Sequence, residues 1–99
     1  MILKNGVSIK GLKPEILFAI MVTNEVYKSF GFELVITSVM DGKHSSGSFH
    51  YKGMAFDCRT SMLSGQQKID IVRTLKDKMD ESFDIVLEST HIHIEYDPK

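Results

Sequence analysis

The sequence has little of several things that would define its class. It carries one cysteine, Cys58, in 99 residues, so no internal disulfide can form, in keeping with a reducing compartment. Net charge is nearly absent: 12 Lys and Arg stand against 13 Asp and Glu, for a formal charge of -1. That balance, with no run of like charges, argues against a nucleic-acid grip built on an electrostatic stripe. No apolar run reaches the length of a membrane span, and Met1 to Gly6 is too short and polar for a signal peptide. No membrane span is therefore expected, and synthesis is expected to end in the cytoplasm. Repeats, low-complexity tracts and Pro- or Gly-rich linkers are missing too, so residues 1–99 read as one domain. A chain of this length should bury roughly 60–65% of its unfolded surface, enough for one core and little else.

What is present is a clear alternation of helical and extended patterns. Pro14 opens a segment in which Ile16, Leu17, Ile20, Met21, Val26, Tyr27 and Phe30 recur at helical spacing before Gly31. The pattern predicts a helix from Pro14 to Phe30, stopped by a glycine just past its end. Residues 32–39 are short, apolar and β-branched and predict a strand. A loop rich in turn formers follows over 41–48, then a strand over Met54–Arg59. Ser64 with Gln67 forms a capping-box signature ahead of Ile69, Val72, Leu75 and Met79, which predicts a second helix over 65–80. Two further strands, 83–88 and 91–96, are joined by Ser89 and Thr90 alone, so they should pair antiparallel as a hairpin. The whole is an α+β domain: a small antiparallel sheet with two main helices packed on it. The six methionines, Met21, Met54 and Met79 among them, read as gap-filling core, and Cys58 as a free buried thiol.

All four histidines fall in two places, His44 and His50 around the Gly/Ser loop and His91 and His93 on the last strand. Strand alternation puts His91, His93 and Glu95 on one face and Ile92, Ile94 and Tyr96 on the other. Alone, a His-x-His pair describes a polar strand facing water. Here it is joined by Ser48, His50, Gly53, Ala55 and Asp57, in which His50 and Asp57 offer imidazole nitrogen and carboxylate oxygen to a borderline metal such as zinc. Gly53 and Ala55 are small enough for the backbone to pass close to an ion. Tyr51 and Tyr96 suit either a cleft lining or a core edge.

The pattern Ser-x-His-x-x-Gly-x-Ala-x-Asp at 48–57, followed by Glu88 and by His91-Ile92-His93, resembles the double signature of the hedgehog/D-alanyl-D-alanine peptidase superfamily of zinc proteins. The resemblance runs from Thr37 to about Tyr96. It implies that fold, with His50, Asp57 and His93 holding Zn2+ and a water in the fourth position. It implies further that Glu88 serves as general base, that His91 steadies the water or the oxyanion, and that His44 closes the site from the loop. The three ligand atoms should then approach a common point within about 2.0–2.2 Å. In the carboxypeptidase branch the base precedes its ligand by three positions, which would make His91 the ligand. The endolysin and hedgehog branches select His93. The arginine that clamps a terminal carboxylate in the carboxypeptidases is replaced here by Asp41. The implied function is a monomeric zinc metallopeptidase cutting peptidoglycan stem peptides or crosslinks, acting at the cell wall of a bacterium or a phage-infected cell. The alternative is a zinc-holding module without turnover, similar to the hedgehog signalling domain.

Overall fold

A computed structural model describes residues 1–41 and 54–98, and statements of absence below concern those residues. Seven elements follow one another: β1 (Ile2–Leu3), α1 (Pro14–Ser29), β2 (Val35–Asp41), β3 (Met54–Arg59), α2 (Gly65–Lys78), β4 (Phe83–Leu87) and β5 (His91–Tyr96). The strands form one mixed sheet in the order β1-β2-β3-β5-β4. Four strands pair antiparallel, as expected. The fifth, β1, pairs parallel with β2 through Ile2 and Leu3, which corrects the all-antiparallel expectation. Two residues carry too little periodicity to announce a strand, and only the main chain of Leu34 and Ile36 recruits them, by 2.8 and 2.9 Å bonds to Ile2 and Lys4.

Helix α1 begins at Pro14, whose missing N–H falls where no intrahelical partner exists. It ends in a Schellman motif: Gly31 takes φ +86°, its N–H bonds Lys28 O at 2.9 Å, and Phe32 N–H bonds Tyr27 O at 3.0 Å. Phe32 is thereby spent on the cap, so β2 starts at Val35 rather than at 32 and runs to Asp41. Helix α2 opens on the expected capping box, with Gln67 N–H donating to Ser64 Oγ at 3.2 Å and Ser64 N–H donating to Gln67 Oε1 at 2.8 Å. It closes two residues before the expected Asp80 because Met79 adopts extended backbone, turning its apolar side chain into the core.

Both helices pack on one face of the sheet. Ile16, Ile20 and Tyr27 of α1 and Ile71 and Leu75 of α2 meet Phe56, Cys58, Ile92 and Ile94, all at 2% exposure or less. Each such aliphatic or aromatic side chain contributes about 1.5–3 kcal/mol through water released from its surface. Cys58 is the buried thiol expected, and burial, with Asp57 a lesser cause, pushes its pKa up. Met54 and Met79 are core as expected, but Met1 and Met40 are exposed, and Met21 is 68% exposed on the outer side of α1, because the helix buries the stripe through Ile16, Ile20 and Tyr27 instead. Tyr96 sits at the core edge, half-buried, its ring 5.2 Å from that of Phe83.

Candidate functional site

The opposite face of the sheet carries the cluster of titratable side chains. Alternation along β3 and β5 sends Phe56, Cys58, Ile92 and Ile94 to the helices, which leaves Asp57, His91, His93 and Glu95 on the other side. The register then decides who meets whom. Asp57 lies directly opposite His93, and Arg59 opposite His91, across the β3–β5 ladder. Cβ atoms so placed stand about 4.5–5.5 Å apart, within reach for a carboxylate and an imidazole.

Asp57 Oδ1 and His93 Nδ1 are 2.7 Å apart, and the other ring nitrogen, Nε2, lies 3.2 Å from Glu95 Oε1. His91 Nε2 approaches Asp57 Oδ2 at 3.8 Å, while its Nδ1 is 3.0 Å from Thr90 Oγ1. One carboxylate therefore faces two imidazoles. These side chains are half-buried, at 22% for Asp57, 30% for His91 and 25% for His93, so the charges are neither fully solvated nor sealed off. Burial pulls the His93 pKa down, but the bonds to Asp57 and then Glu95 outweigh it, and the net shift is upward from 6.5.

The strand on the far side of β3 is irregular at this level. The β2–β3 register shifts between Ile36 and Ser38, a bulge beside Asp57, and Thr37 Oγ1 donates to Asp57 O at 3.4 Å. A bulge increases local twist and re-aims the flanking side chains, a device common next to functional sites.

Of the residues singled out in the sequence, Asp57, His91 and His93 are brought together. Glu88 stands at the mouth of the hairpin, its N–H donating to His91 O at 2.8 Å and its side chain exposed. His44 and His50 lie outside the described residues, as do Tyr51, Gly53 and all of the predicted 41–48 loop except Asp41, which is instead the last residue of β2.

A second grouping was not read from the sequence. Carboxylate oxygens of Asp84, Glu95 and Asp97 all lie within 4.8 Å of one another, and this group could hold a metal ion. Its members are scattered in sequence, and the signal that joins them is the β4–β5 register, which sets Asp84 opposite Glu95. Glu95 thus belongs to both groupings and links His93 to the acidic one.

Compared with family models, curated proteins and solved structures, the chain gives no match in any of the three.

Proposed function

We propose that the chain is a zinc metallopeptidase that hydrolyses peptide bonds in peptidoglycan stems or crosslinks, in the manner of the superfamily its motifs resemble. The observation that carries the reading is the direct opposition of Asp57 and His93 on paired strands, with His91 beside them on the same face. Imidazole and carboxylate are a donor set that suits zinc, and His50, Asp57 and His93 would hold it. Bound zinc supplies an acidified water and polarises the scissile carbonyl.

The chain's own residues have separate tasks. Asp57 stands directly opposite His93 across the ladder and supplies negative charge that favours a cation at this spot. Thr90 holds Nδ1 of His91, which leaves Nε2 turned inward toward Asp57, placed to donate to a developing oxyanion. Glu88, one hairpin pair away, takes the proton from the attacking water and returns it to the leaving amine. His44 would close the site from the loop.

The second reading, a zinc-holding module without turnover, is favoured by the exposure of Glu88 and by Asp41 in place of an arginine clamp. One preparation separates the two: metal content of the purified protein, and mass spectrometry of peptidoglycan after incubation with it. The peptidase reading expects stoichiometric zinc and new stem fragments, with fragments lost and zinc kept in Glu88→Ala. Zinc without fragments, unchanged by that substitution, establishes the non-catalytic module. No zinc after reconstitution overturns both.

A further inference from the structure

The two edges of the sheet are built differently. At one edge β1 is two residues long, too short to template another strand. At the other, β4 offers five residues, Phe83-Asp84-Ile85-Val86-Leu87, paired to β5 in unbroken register with no bulge, no proline and no lysine. Of the devices by which proteins ordinarily blunt an edge, β4 carries only one charge, Asp84.

The ladder fixes which of its backbone groups remain. Glu88 N–H bonds His91 O and Asp97 N–H bonds Ser82 O, so the even-numbered residues point to β5. Phe83, Ile85 and Leu87 therefore direct their main-chain groups outward. Phe83 N–H bonds Asp80 O, and among the described residues no backbone partner is seen for the outward groups of Ile85 and Leu87. Apolar surface accompanies them: Val86 is 45%, Leu87 39% and the neighbouring Ile69 of α2 46% exposed. A groove beside the edge, about 420 Å³, is lined by Ile69, Val72 and Leu87 together with Arg73, Lys76 and Asp77, so both charge signs border it.

We propose that β4 pairs antiparallel with β4 of a second copy, joining two sheets into one across a two-fold axis at Ile85. The sequence of the strand is self-complementary in that register. Ile85 faces Ile85 of the second copy, Phe83 faces its Leu87, and Asp84 faces its Val86, so no like charges meet. Each Leu87 N–H then reaches the free carbonyl of the opposite Phe83, and the two Ile85 residues exchange a pair of bonds. The α2 helices flank the axis antiparallel, where the mixture of Arg73, Lys76 and Asp77 avoids a clash of one sign. The polar faces become continuous, with the two His93 positions about 16 Å apart, three strand spacings across and two residues along. The sequence-based expectation of a monomer took no account of this edge, and the proposal stands whether or not the metal reading does.

The test is sedimentation equilibrium of the full chain with two substitutions at one exposed position. Val86→Asp places like charges opposite each other twice, and is expected to weaken association about tenfold or more, whereas Val86→Lys places a cation opposite Asp84 and is expected to keep or tighten it. Leu87→Pro removes the outward donor while the even-numbered residues keep their bonds to β5, and is expected to give monomer, with circular dichroism checking that each variant stays folded. A wild type that remains monomeric up to about millimolar concentration overturns the proposal. So does equal loss of dimer in both Val86 variants, which would show that Val86 does not face Asp84 of the second copy.

Discussion

At the scale of single residues, the candidate site is organised by Asp57, whose carboxylate faces two imidazoles. Under the zinc reading its carboxylate is a ligand, so Asp57→Ala should weaken zinc binding by more than the roughly 10–100-fold typical of an outer partner. Thr90→Val, which removes only the hydroxyl against His91 Nδ1, should fall within that range or below it, and should act on turnover before metal content. Competition titration against a chromophoric chelator measures both. A proton and a metal ion compete for the same His93 nitrogens. Because the folded state raises the His93 pKa, folded protein holds the proton more tightly than unfolded chain does. The stability so gained is full below the unfolded value of about 6.5 and is lost as pH rises through the higher folded value. Metal-free protein should accordingly lose stability as pH rises from about 6.5 through the higher folded value, and Asp57→Asn should flatten that slope. Urea midpoints across the range read it out. Zinc affinity should move the opposite way, rising with pH as the proton leaves.

At the scale of elements, local chemistry sets the ends of both helices and thereby the position of the strands. The Ser64–Gln67 box satisfies two main-chain N–H donors at the start of α2, and Ser64→Ala should cost about 0.5–2 kcal/mol. Gly31 sits at φ +86°, so Gly31→Ala should cost about 1 kcal/mol although a Cβ there meets no atom within 4 Å. The penalty is conformational, and the circular dichroism signature of α1 should be kept while the denaturation midpoint falls. Elements with a strong period or a side-chain cap were legible in advance: α1, α2, β3 and β5 lie within two residues of their expected bounds. The elements that were not legible lacked a local cause. β1 exists because Leu34 and Ile36 present main-chain partners to it, and the start of β2 was displaced because Phe32 closes the Schellman motif instead of extending the strand. The bulge beside Asp57 likewise follows from how β2 and β3 pair, which no run of residues in either announces.

At the scale of the whole molecule, one core holds a five-stranded sheet against two helices, and small size leaves it a narrow margin. Phe56, fully buried at the sheet centre, should cost about 3–5 kcal/mol as Phe56→Ala, enough to unfold much of the population, whereas Met21→Ser on the exposed side of α1 should stay within about 0.5 kcal/mol. Thermal melts of the two variants distinguish them directly. If zinc binds as proposed, chelation should lower the melting temperature and added zinc at about 1,000 times Kd should restore about 4 kcal/mol.

The sequence by itself determined the α+β class, the two helices with their caps, the hairpin, and the face to which Asp57, His91, His93 and Glu95 belong, because period, capping and turn chemistry act over a few neighbouring residues. Only the tertiary structure decided which carboxylate meets which imidazole, that Asp84, Glu95 and Asp97 converge, that Met21 lies outside, and that β4 is an open edge. Those outcomes rest on strand register and strand order, where residues tens of positions apart come into contact, and no local pattern along the chain encodes such pairings.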